Sequence, residues 1–135
     1  MAGRKVIEAL QLHKKGFNCA QSVGIPFAED FGIDKITAMR ALEGFGAGMG
    51  GCEHTCGALS GAVFVAGLKL SDGNLAAPHS KSGTYAVCKK LCEDFRKECG
   101  SVNCAEIKGI HTQKPLKTCD ECIMTAARLI EKVTE

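Results

Sequence analysis

The sequence has 135 residues and a formal net charge of +2, with both signs interspersed along it. That is the length of one domain, long enough to bury roughly two thirds of its unfolded surface without a covalent staple. With no Lys/Arg block, no Trp and a single Tyr, nothing supports nucleic-acid binding.

Helical periodicity dominates from the start. MAGRKVIEALQLHKKG carries no apolar core followed by a small-residue cleavage site, so a cytoplasmic protein is expected. Val6, Leu10, His13 and Phe17 fall on one face of a first helix. A second follows Asn18 and turns Ala20, Val23, Phe27 and Phe31 inward, with Pro26 expected to kink or end it. Asp34 is placed to cap a third helix carrying Ile36, Met39 and Leu42.

The glycine-rich stretch GFGAGMGG, 44–51, reads as a loop, and an apolar helix follows from Cys56. Its run CGALSGAVFVAGLKL is too short to span a bilayer and contains Lys69, which suits a buried helix. Gly57, Gly61 and Ala58, Ala62, Ala66 set small residues four apart, a spacing that permits close helix contact. SDGNLAAPHSKSG, 71–83, is a loop or helix entry. A long helix then aligns Tyr85, Cys88, Leu91, Cys92, Phe95 and Cys99, and GSVN breaks it. A short helix begins near Cys104, GIHTQKPLKT is a loop, and Cys119, Cys122, Ile123, Ala126, Ala127, Ile130 and Val133 define the face of a last helix. No convincing strand is present. The expected fold is all-α, a single compact domain over 1–135 with five or six packed helices.

Nine cysteines are the anomaly. An odd count cannot pair fully within one molecule, and in a reducing compartment metal binding or thiol chemistry outranks disulfide staples. Four of the nine share one local frame. NCAQ at 18–21 and NCAE at 103–106 each read as an N-cap Asn, a Cys at the first helical position and a capping-box Gln or Glu at the third. TCDE at 118–121 repeats the frame with Thr118, and TCGA at 55–58 repeats it without the acid.

A helix N-terminus carries about half a positive charge and favours thiolate, the form that ligates metals and attacks disulfides. Buried cysteine is also an ordinary small hydrophobe, but four in one frame argue for a shared site. Four converging thiolates would repel one another unless iron or zinc cations sat between them. Structural zinc usually draws ligand pairs from short C-x-x-C knuckles. Here each cysteine opens its own helix, which weakens zinc; iron–sulfur clusters tolerate varied spacing. GFGAGMGG, with Gly46, Gly48, Gly50 and Gly51, could cover a cluster and donate backbone N–H bonds to it.

FNCAQSV, GFGAGMGG, CGALSG, GSVNCAEI and Cys119 before an Ile-x-x-Ala-Ala helix occur in an order that resembles the C_GCAxxG_C_C family, named for its cysteines. The resemblance covers nearly the whole chain. Its four defining cysteines fall on Cys19, Cys56, Cys104 and Cys119. It implies a redox role with a bound iron–sulfur cluster, and assigns no substrate. Cys52, Cys88, Cys92, Cys99 and Cys122 are additions to the family pattern.

Those additions have plainer readings. Cys88, Cys92 and Cys99 suit core packing. Cys122 suits the core or a resolving thiol for Cys119. Cys52 and His54 flank Cys56 in GCEHTC and read as loop residues, with a substitute ligand or proton donor as the sharper alternative. GAGMGG satisfies G-x-G-x-x-G but lacks the strand before it that a dinucleotide site needs.

The leading expectation is a cytoplasmic redox protein holding an iron–sulfur cluster, 2Fe–2S in preference to 4Fe–4S, on Cys19, Cys56, Cys104 and Cys119. Its partner would be an oxidoreductase or electron carrier, with no nucleic acid and no membrane insertion; a homodimer is admitted. Whether it catalyses a reaction is left open. Two alternatives stand beside it: metal-free thiol–disulfide chemistry at Cys119–Cys122 or Cys52–Cys56, and a structural zinc module.

Overall fold

Local capping decides where most of the helices begin. The computed structural model describes residues 3–135. Seven helices follow in order: α1 (Arg4–Lys14), α2 (Cys19–Ala28), α3 (Lys35–Leu42), α4 (Gly57–Leu70), α5 (Lys81–Cys99), α6 (Cys104–Lys108) and α7 (Cys119–Thr134). They pack into an all-α domain with one helix more than the five or six expected, and no strand forms among the described residues.

Asn18 Oδ1 accepts from the Gln21 N–H at 2.8 Å while Gln21 Oε1 accepts from the Asn18 N–H, a complete capping box. Thr118 and Glu121 form a second. Asp34 accepts from the Thr37 N–H and Asn103 from the Glu106 N–H. Each such cap stabilises its helix by about 1 kcal/mol. The Asn103 box is only half built, because the Asn103 N–H donates to Ser101 Oγ instead of Glu106.

α4 is the central helix, packed chiefly on α2 and α7. Its small residues allow that approach: a Cβ added at Gly61 would lie 2.6 Å from the Ala20 carbonyl oxygen of α2. Around it Val6, Val23, Phe27, Leu59, Val65, Phe95, Ile123 and Ile130 form the buried core. Nearly all of α2 is buried, and its polar Gln21 is satisfied by the Met39 carbonyl at 3.0 Å.

Pro26 does not stop α2, which runs to Ala28 before tightening into a 3-10 turn over Glu29–Phe31. The Pro26 carbonyl accepts from Lys5 Nζ at 2.7 Å. Three expected inward residues face water. Ile36 and Met39 lie on the outer side of α3, which buries Ala38 and Leu42 instead, and Tyr85 is exposed on the first turns of α5. Phe17 lies beyond the end of α1 and packs with Ile25, Ala28 and Ala38. No helix among the described residues is long and apolar enough to cross a membrane.

Candidate functional site

Four helix starts meet at one place. Cys19, Cys104 and Cys119 take the first positions of α2, α6 and α7, each directly after its capping residue. Cys56 stands one step earlier than its sequence frame suggests. It is itself the N-cap of α4, because its N–H donates to the Val102 carbonyl at 2.8 Å and Thr55 bridges Asn103, which hold both residues extended. All four thiols line a single cavity, together with Cys122, Lys108, Lys117 and Ala47. The free space inside accommodates little more than one water molecule.

Backbone bonds stitch the walls together. The Cys104 N–H donates to the His54 carbonyl, and the His54 N–H donates to the Gly48 carbonyl at 2.8 Å. The start of α6, the approach to α4 and the glycine turn are thereby one unit. The turn itself is left-handed: Ala47, Gly48, Met49 and Gly50 have φ of 52, 69, 77 and 62°, closed by a bond from the Gly50 N–H to the Gly46 carbonyl. Left-handed backbone costs roughly 1–2 kcal/mol at each non-glycine residue, which explains the glycine content.

The four glycines divide into two pairs. Gly48 is packed so tightly that an added Cβ would lie 2.6 Å from the His54 nitrogen and 2.8 Å from the Cys104 Cβ. At Gly46 it would lie 2.7 Å from Asn18 Nδ2, whose amide also donates to the Glu43 carbonyl. Gly50 and Gly51 are exposed.

The thiols are not equivalent. The Cys119 thiol beside it, with burial, holds Cys19 well above the usual thiol range. The pairing with Cys19 brings Cys119 down to about 6, with help from Lys108 and His13. Behind them the pairing of Cys122 with Cys56 and Cys99 raises Cys122, lowers Cys56 and brings Cys99 to about 7. The N–H groups of Ala58 and Leu59 at the start of α4 also favour the Cys56 thiolate. Burial pushes Cys104 up, and Lys108 opposes it. A helix N-terminus alone therefore does not lower every one of these thiols: Cys19 and Cys104 are shifted upward.

Lys108 and Lys117 were not singled out in the sequence, where each reads as an ordinary surface charge. A usable signal existed for Lys108. Four residues after Cys104 on the same short helix, it shares that cysteine's face. Cys122, read as a core residue or a resolving thiol for Cys119, is buried in the core and also lines the cavity.

The other candidates lie elsewhere. Cys52 and His54 are exposed and open on a separate groove with His111, whose Nε2 is 3.1 Å from Glu53 Oε2. Cys88 and Cys92 are half-buried on α5. His13 is half-buried, its Nδ1 2.7 Å from Asp120 Oδ1 beside Cys119. His79 sits in the exposed 71–80 loop.

The donor set suits a thiophilic metal group: four sulfurs from four chain segments, two lysines to offset anionic charge, and few competing oxygen ligands. Among the described residues no three His, Cys, Asp or Glu side chains are arranged to clasp a metal ion as they stand.

An all-helical scaffold that gathers cysteines from separate helix starts defines a cysteine-centred, redox-type domain. The chain belongs to the C_GCAxxG_C_C family, whose description is "Putative redox-active protein" and whose profile matches residues 17–133. No curated protein and no solved structure matches the chain.

Proposed function

We propose that Cys19, Cys56, Cys104 and Cys119 hold an iron–sulfur cluster that serves electron transfer or redox sensing with a partner oxidoreductase in the cytoplasm. The observation that carries this reading is the convergence of these four thiols, each from its own helix start, on one cavity. Thiolate sulfur is the ligand such clusters take, and a bound cluster supplies one-electron redox chemistry.

The chain's own residues provide the setting. Burial of Cys56 and Cys104 limits water at the inner wall. Lys108, Lys117 and the starts of α2, α4 and α7 offset the negative charge of a thiolate-bound cluster. Gly48 lets the left-handed turn close against Cys104. The narrow cavity favours the smaller 2Fe–2S form.

Purification without oxygen tests the proposal. The expected protein is brown, absorbs in the visible and yields iron with acid-labile sulfide. Cys104→Ser abolishes these signals and Cys88→Ser preserves them. Colourless protein carrying zinc, or carrying no metal after reconstitution with iron and sulfide, overturns it.

A further inference from the structure

We infer that in the metal-free state the cavity is a dithiol–disulfide couple in which Cys19 pairs with Cys119, the thiols that open α2 and α7. Three observations select this pair from nine cysteines. First, both open onto the one cavity, at the starts of two helices that pack against each other. Second, both are half-buried and reachable by a small oxidant, whereas Cys56, Cys99, Cys104 and Cys122 are buried. Third, the pairs that proximity in sequence suggests are directed apart. Cys122 is buried in the core, and Cys52 opens on the groove with His54 and His111. Cys88 and Cys92 lie one turn apart on a single helix, where Cβ atoms are about 5–6 Å apart. A disulfide needs roughly 3.5–4.5 Å.

The oxidant is a small-molecule disulfide such as oxidised glutathione. One protein thiolate attacks a glutathione sulfur, the S–S bond breaks, and glutathione thiolate leaves and takes up a proton. The second protein thiol loses its proton to water and attacks the mixed disulfide, expelling the second glutathione. Two protein thiols are oxidised and one external disulfide is reduced. A sulfur in a disulfide no longer offers a thiolate to a metal, so the bridge withdraws two of the four sulfurs proposed as ligands. That consequence rests on the cluster reading; the pairing does not.

The test uses the whole chain, freed of metal by chelation, reduced, and exposed without oxygen to oxidised glutathione. Thiol titration is expected to fall by two. Proteolysis with mass spectrometry should recover the Cys19 peptide joined to the Cys119 peptide. In Cys19→Ala, glutathione should remain attached to Cys119 for want of a resolving thiol. The pairing is overturned if Cys19 and Cys119 stay free while other thiols oxidise, or if the bridge found is Cys119–Cys122 or Cys52–Cys56. Should Cys19→Ala fail to fold, the map of the unaltered chain decides. Iron and sulfide are then added to reduced and oxidised samples. Loading of the reduced sample alone is expected, and equal loading of both overturns the blocking effect. Failure of the reduced sample to load counts against the cluster reading and leaves a mapped bridge standing.

Discussion

Cys19 and Cys119 line one cavity, where the start of α2 meets the start of α7. The two residues lie near opposite ends of the sequence, so they meet there only because both helices pack on α1 and α4. There two chemically identical groups diverge, Cys19 shifted up and Cys119 shifted down. Peptide-resolved alkylation with iodoacetamide should give Cys119 a reactivity midpoint near its value of about 6. In Cys19→Ala the neighbouring thiol is gone, and the midpoint should move up toward the ordinary ~8.5 of a free thiol. The sign for stability follows. A depressed Cys119 lends stability that is complete above the ordinary thiol pKa and is lost as pH falls through about 6. An unchanged midpoint in Cys19→Ala would show that Cys19 does not set the acidity.

Gly48 and Gly51 separate backbone strain from crowding. Both have left-handed φ, 69° and 88°, but a Cβ at Gly48 meets the His54 nitrogen and Cys104, whereas at Gly51 it meets nothing. Gly51→Ala should cost only the left-handed penalty, roughly 1–2 kcal/mol. Gly48→Ala should add about 1–3 kcal/mol of overpacking and displace Cys104. Chemical denaturation measures the first difference. Alkylation of Cys104 in the folded state, expected to quicken only in Gly48→Ala, measures the second.

Lys108 is the cation that acts on three cavity thiols at once, lowering Cys19, Cys104 and Cys119. Lys108→Gln should raise all three and leave less thiolate at neutral pH. Each unit of upward shift slows alkylation about tenfold at a pH below the midpoint. Salt near 1 M, where the screening length is ~3 Å, should reproduce part of the slowing in the unaltered chain and have little effect in Lys108→Gln. Equal salt sensitivity in both would remove Lys108 from the account.

What the sequence revealed and what it hid divide along physical lines. Capping is local, requiring only a residue and the two or three that follow. The caps Asn18, Asp34, Asn103 and Thr118 were therefore readable, and three of the four cavity cysteines were placed with them. Cys56 shifted by one residue because its backbone is held extended by Val102, nearly fifty positions away in the chain. The facing of Ile36, Met39 and Tyr85 was misjudged for a related reason. Periodicity identifies an apolar stripe without identifying a neighbour to cover it, and α3 buries only Ala38 and Leu42. The left-handed glycine turn and the pairing of Cys122 with Cys56 and Cys99 depend on tertiary approach and leave no local mark.

Asn18 and Thr118 both close capping boxes, but their substitution should not be equivalent. Thr118→Ala removes a side-chain bond to the Glu121 N–H at an exposed helix start. A loss of about 1 kcal/mol is expected. Asn18→Ala removes the corresponding bond to Gln21 and also the 2.9 Å bond from Nδ2 to the Glu43 carbonyl. It further deletes the side chain on which Gly46 rests. The second bond adds about another 1 kcal/mol, and the loss of packing frees the turn that approaches Cys104. Asn18→Ala should therefore lower the denaturation midpoint more than Thr118→Ala and accelerate amide hydrogen exchange across 46–54. Thr118→Ala should confine faster exchange to the first turn of α7. Identical exchange maps for the two variants would mean that Asn18 does no more than cap its helix.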